Sequence, residues 1–188
     1  MPNFKHNPKI IFIPGWLDSG ELHGYQYNLD IWHRKVDLEQ NFHPDYLIAH
    51  SIGSLAALYN WYKYQNFKII LINPVLSSKN IILRWWKSMT TEGTFYNLKR
   101  LLIFLSFIIA TLKAKKLFKI PALGIINKIP LSDITIIYGT KDVYLCDRQI
   151  INQLETKGIK TIEVLNSGHN YDANLEKEIK SYLKVYSL

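Results

Sequence analysis

Five short apolar runs punctuate the chain, at Ile10–Ile13, Tyr46–Ala49, Lys68–Ile72, Ile134–Tyr138 and Lys160–Leu165, each bounded by turn-forming or charged residues. Between several of them the period changes to that of a helix. Helices are expected from Ser51 to about Tyr64, across Cys146 to Lys157, and across Asn174 to Tyr186, the last with Leu175, Ile179 and Leu183 on one face. Strands alternating with helices in this way specify an α/β fold, a mostly parallel sheet flanked by helices. Tyr25–Ile31 is a further strand candidate with less regular apolar spacing.

About sixty residues separate the strand ending near Pro74 from the one starting at Ile134, too many for a plain crossover. An inserted helical cap at approximately 77–130 is the natural reading. With 188 residues the chain can bury one good core and is short for two, so residues 1–188 read as a single domain with that insertion. No internal repeat or low-complexity tract is present.

Composition narrows the classes. A hydrophobic content of 48% with 20% charged residues excludes a disordered chain. The single cysteine, Cys146, rules out an intrachain disulfide and a cysteine-based zinc site, and nothing beside it resembles a base that would activate its thiol. His6, His23, His33 and His43 lack metal-ligand spacing, so no metal is expected. Lys5 and Lys9 precede Ile10–Ile13, but Pro14 and Gly15 cut that run well short of a secretory signal. The cytoplasm is the expected location.

The net charge of +8 is concentrated in the insertion. Residues 79–128 hold Lys79, Arg84, Lys87, Lys99, Arg100, Lys113, Lys115, Lys116, Lys119 and Lys128 against Glu92 alone, a net of +9, leaving −1 for the rest.

The chemistry is read from Asp45 to Leu55, DYLIAHSIGSL, which places Ser51 on a tight turn between a strand and a helix. Ala49 and Gly53, two residues before and after the serine, are small enough for strand and helix to cross closely there. A serine hydroxyl is a poor nucleophile at neutral pH and needs a base, and the base needs an acid to hold it. Two other strands end in suitable groups. Ile134–Tyr138 runs into Gly139-Thr140-Lys141-Asp142, and Lys160–Leu165 into Asn166-Ser167-Gly168-His169. Asp142 is preferred as the acid over Asp147, which could cap the next helix or stand in its place. His50 is read as lining the pocket wall or bonding a neighbouring loop.

Ala49-His50-Ser51-Ile52-Gly53 resembles the nucleophile elbow of the α/β-hydrolase superfamily, and the chain order Ser51, Asp142, His169 matches that fold. The resemblance covers nearly the whole chain apart from the insertion. It implies a trimmed α/β-hydrolase fold, because only about 35 residues separate Gly15 from Ser51. It also implies an oxyanion hole from the backbone N–H groups of Trp16, in Pro14-Gly15-Trp16-Leu17, and of Ile52; Pro14 stands where the family usually has histidine. The implied activity is a serine esterase or thioesterase acting on an apolar acyl substrate, with no cofactor. The Gly-Trp loop and basic cap also resemble the pimeloyl-carrier-protein methyl ester esterases, a narrower similarity resting on few residues. A non-catalytic member of the fold that binds lipid or protein is the alternative from another class.

Within the insertion, Leu101–Leu112 is nearly all apolar, and as a helix would span about 18 Å, short of a bilayer core. It is expected to cover an acyl pocket, with Trp85, Trp86 and Phe104 among the substrate-binding residues. An interfacial helix meeting anionic lipid peripherally and a basic surface docking an acidic acyl carrier protein are the other readings. The expected substrate is a small-molecule or carrier-bound acyl ester, and no nucleic acid is expected.

Overall fold

The five apolar runs form five strands, β1 (Ile10–Ile13), β2 (Tyr46–His50), β3 (Lys68–Ile72), β4 (Ile134–Gly139) and β5 (Lys160–Val164). The computed structural model describes residues 9–16, 24–25, 27–29, 44–77, 79–91, 105, 108–109, 112 and 114–186. The strands pair in chain order and all are parallel, with Ile10 opposite Tyr46, Tyr46 opposite Lys68, Ile69 opposite Ile134 and Thr135 opposite Lys160. Of the Tyr25–Ile31 candidate, the described residues contribute a single parallel bridge, Asn28 to Phe12. The neighbours of Asn28 make it: Phe12 N donates to Tyr27 O and Leu29 N donates to Phe12 O.

The helices are α1 (Gly53–Tyr64), α2 (Ile81–Thr91), α3 (Ala122–Ile126), α4 (Arg148–Thr156) and α5 (Ala173–Tyr186), with 3-10 turns at Ala114–Lys119 and Leu131–Asp133. Both α1 and α4 start slightly later than the apolar pattern suggests. At α4 the reason is visible, because the Asp147 carboxylate accepts from Ile150 N as the helix cap.

Alternate strand residues face opposite ways, and the two sets meet different partners. Ile11, Ile13, Leu47, Ile69, Leu71, Ile134 and Ile136 pack in one cluster with Leu55 and Leu58 of α1, Ile125 and Ile126 of α3, and Ile151 and Leu154 of α4. Phe12, Ile48, Ile70, Ile72 and Ile137 face the other way, onto Leu175 and Ile179 of α5. β1 to β4 are therefore apolar on both faces, whereas the edge strand β5 keeps Lys160 and Glu163 in solvent.

The long connection between β3 and β4 divides. Leu117 and α3 are built into the main core. α2 instead packs Ile81 and Trp85 on Val75 and Leu145, with Trp16 against them. Those three contacts lie just past the ends of β3, β4 and β1, so α2 sits over the carboxyl edge of the sheet. Of the Leu101–Leu112 run, Leu105, Ile108, Ile109 and Leu112 are described and helical. No helix among the described residues is long and apolar enough to cross a membrane.

Candidate active site

Ser51 leaves β2 with φ +55°, in the left-handed region that a residue with a Cβ rarely adopts. The turn is held by its own backbone. Ser51 N donates to Ile72 O at 2.9 Å, and Ser51 O accepts from Ser54 N and Val75 N at 3.1 and 3.2 Å. Gly53 is required by close approach, since a Cβ there would lie 2.6 Å from Ile13 O and 2.7 Å from Pro14 O. At Gly15 a Cβ would come within 2.8 Å of Ser51 Cβ. The loop after β1 thus touches the serine, which brings Trp16 beside it. Ile52 is buried at the N-terminal cap of α1, where backbone N–H groups are not used by the helix.

Ser51, His169 and Asp142 form one hydrogen-bonded array. Ser51 Oγ lies 2.8 Å from His169 Nε2, and His169 Nδ1 lies 2.6 Å from Asp142 Oδ2. A carboxylate only accepts, so Nδ1 carries the proton and Nε2 is left to accept from the Ser51 hydroxyl. Asp142 is wholly buried, and its other oxygen accepts from Leu145 N and Cys146 N, each at 3.2 Å. Burial pushes its carboxyl up, but the His169 charge, the hydrogen bond to its ring and the two backbone donors together outweigh burial and hold it below its ordinary value of 3.8. Asp147 caps α4 and is not in the array. Cys146 is buried, and burial followed by the nearby Asp142 charge pushes its thiol well up, so it stays protonated.

Two polar side chains complete the support of the histidine loop. His50 Nε2 donates to His169 O at 2.8 Å, which makes it a bond to a neighbouring loop. Asn73, one residue past β3 and fully buried, was not among the residues singled out from sequence. Its Nδ2 donates to Gly168 O and His169 O at 2.8 and 2.9 Å, while its Oδ1 accepts from Gly139 N at 2.8 Å. Both ends of the amide are used, and its φ of +42° is one that asparagine tolerates better than most residues. The criterion that selects Ser51, Asp142 and His169, a polar group just beyond a strand end, would also have found it.

The remaining candidates separate. Trp85 is buried and meets Trp16 edge to face, ring centroids 4.9 Å apart. Trp86, one residue on, is 41% exposed. Phe104 lies outside the described residues, as do His6, His23, His33 and His43. Arg84, counted from sequence only as charge, donates to Tyr144 O at 2.7 Å, to Leu145 O at 2.5 Å and to Ser77 O at 3.2 Å. A cleft of about 620 Å³ opens between Thr91 at the end of α2, Val143 and Tyr144 after β4, and Gly168 and Asn170 on either side of His169. Its volume falls in the range of small-molecule sites.

No protein-family model matches the chain, and no curated protein matches it. Solved structures do. A carboxylesterase of the ammonia-oxidizing thaumarchaeon Nitrososphaera gargenis aligns over 96% of this chain and 89% of its own, with TM-score 0.55 and 14% identity. An esterase of Pyrococcus furiosus aligns over 97% and 83%, with TM-score 0.55 and 14% identity. A thioesterase domain from the curacin biosynthetic pathway aligns over 96% and 90%, with TM-score 0.51 and 15% identity. Similarity over whole chains at such low identity speaks for architecture, and together with the parallel sheet and its helices it gives this chain the α/β-hydrolase fold.

Proposed function

We propose that this protein is a serine hydrolase that cleaves a carboxylic ester or thioester of an apolar acyl substrate through an acyl-enzyme on Ser51. The observation that carries the reading is the array from Ser51 Oγ through His169 to the buried Asp142, at 2.8 and 2.6 Å. His169 Nε2 takes the hydroxyl proton as Ser51 Oγ attacks the acyl carbonyl, and the Asp142 carboxylate stabilises the imidazolium that forms. The backbone N–H groups of Trp16 and Ile52 hold the developing oxyanion. Each such donor contributes about 3–4 kcal/mol in the transition state. The imidazolium then protonates the leaving alkoxide or thiolate, the acyl group stays on Ser51, and His169 deprotonates a water that releases the acid and frees the serine. Every proton taken is returned, and the cycle needs no cofactor.

The apolar acyl chain is proposed to lie under the β3–β4 connection, near Trp85. The basic charge of that connection would present the enzyme to an anionic membrane surface or an acidic acyl carrier. A fluorophosphonate probe tests the nucleophile directly. Wild type is expected to be labelled on Ser51 under native conditions and Ser51→Ala to remain unlabelled. An unlabelled wild type would leave a non-catalytic binding member of the fold as the better description.

A further inference from the structure

The two sides of the site are bridged by neighbouring residues of a single helix. α2 places Trp85 against Trp16, in the loop that follows β1, and Arg84 against the turn that follows β4. We propose that α2 is a brace across the reaction centre, with Arg84 as a positioning residue for Asp142 and Trp85 as a positioning residue for the loop of Trp16. This rests on the reading of Ser51 as the nucleophile.

The linkage at Arg84 is short and made of peptide groups. Its guanidinium bonds the carbonyls of Tyr144 and Leu145. The next two N–H groups along the same turn, those of Leu145 and Cys146, are the donors to Asp142 Oδ1. A peptide plane is rigid, so fixing the two carbonyls fixes the direction of the N–H groups that share their planes. A planar fork reaching two carbonyls orients that turn in a way a single ammonium cannot. The third contact, to Ser77 O, ties the same guanidinium back to the segment after β3. On the opposite lip, Gly15 brings its loop within touching distance of Ser51. The Trp16 ring closes that loop onto Trp85, which is itself buried among Val75, Ile81 and Leu145. Leu145 belongs to both contacts, so movement of α2 acts on the two lips together. The charged and titratable groups around the turn include His169 from the facing loop and His50, whose ring centroid lies 5.5 Å from that of His169, Lys141, Tyr144, Cys146, Asp147 and Arg148 along the chain, and Arg84 itself.

If Arg84 acts by position, its loss turns the Asp142 carboxylate away from the imidazolium and the His169 ring gives up its proton at lower pH; if it acted only as a nearby cation, its loss would make the ring hold the proton to higher pH. In Arg84→Met, which keeps the apolar stem, kcat on a short soluble ester is expected to fall about tenfold or more with KM within about twofold. The acid limb of the kcat/KM profile is expected to move to lower pH, and the downfield proton resonance of His169 Nδ1 to move upfield. Arg84→Lys should recover part of each, and added guanidinium should restore part of the rate in Arg84→Ala. Trp85→Phe should lower kcat while leaving the pH profile in place, because it acts on the oxyanion side. An Arg84→Met protein, or Arg84→Gln if Met does not fold, with wild-type pH profile, resonance and kcat overturns the inference, and so does an acid limb that moves to higher pH. A wild type that neither labels nor turns over ester, yet shows an Arg84-dependent Nδ1 resonance, defeats the reaction while leaving the bracing of Asp142 standing.

Discussion

Asn73 holds His169 by its carbonyl rather than by its ring, donating from Nδ2 at 2.9 Å while His50 donates to the same oxygen at 2.8 Å. The ring is left free to bond Ser51 and Asp142, and the backbone beneath it is fixed from two strands. Asn73→Asp sets a carboxylate oxygen against the carbonyls of Gly168 and His169. Turnover should fall by at least about tenfold with KM nearly unchanged, measured by steady-state kinetics on a soluble ester. Asn73→Ala leaves the buried Gly139 N–H and His169 carbonyl and the partly buried Gly168 carbonyl without this partner and should cost about 1–3 kcal/mol in urea unfolding. Wild-type kinetics in Asn73→Asp would show that the clamp has no bearing on reaction.

Gly15 and Gly53 are both forced by contact, yet they fail differently when replaced. In Gly53→Ala the new methyl meets two backbone oxygens, which cannot yield without moving β1, so the expected result is a loss of about 1–3 kcal/mol of stability. In Gly15→Ala it meets Ser51 Cβ and the His50 ring, so activity should drop further than stability. Thermal melts beside turnover of both variants distinguish the two. Equal losses in both quantities at Gly15 would contradict the placement of its loop against the serine.

Acid should expose the contribution of Asp142. Its carboxyl is held below the ordinary 3.8, so its ionised form favours the folded state above that value, and the advantage is lost as pH falls through the lower folded value. Urea midpoints of wild type and Asp142→Asn are therefore expected to differ at about pH 5 and to converge on further acidification. A gap that widens in acid would mean the carboxyl is held above its ordinary value instead.

Lys115 and Lys116 stand exposed on the basic connection, next to Lys113 in sequence. If this charge presents the enzyme to its substrate, replacing the three by glutamine should slow hydrolysis of esters in anionic vesicles or on an acidic carrier and spare short soluble esters. Raising the salt concentration should do the same to wild type, because charges in solvent are screened over about 10 Å at roughly 0.1 M. Equal rates on all substrates would remove docking from the proposal and leave the charge as a solubility feature.

The positions of β1 to β4 were legible because these runs are apolar on both faces, so no choice of register or orientation had to be made to see them. The Ser51, Asp142 and His169 array was legible for a related reason: parallel strands deliver their following residues to one edge, whatever their separation in the chain. Asn73 and Arg84 were harder. Asn73 stands just past a strand end and only its partners, backbone groups, were hidden, whereas Arg84 sits within a helix and bonds backbone carbonyls, common groups that leave no trace in sequence. The division of the β3–β4 connection was hidden as well. Leu117 and Ile125 fall in the stretch read as one insertion, and only packing shows that they join the main core while Trp85 packs with Val75, Leu145 and Trp16 at the carboxyl edge of the sheet.

The strands lie in the sheet in the order in which they are made. β1, β2 and β3 are therefore neighbours in the sheet as well as in sequence, and the backbone bonds that build the serine turn are complete by Val75. Ser51 is set in its strained turn by Ile72 and Val75, but its imidazole partner lies only after β5 in the chain, next to the helix that covers the Phe12 and Ile70 face. A chain cut before β5 would hold every residue of the serine turn and lack both the histidine and the helix that covers the far face of the sheet. The Ser51–His169 bond thus ties the second strand of the sheet to the loop after the fifth, across 118 residues of sequence.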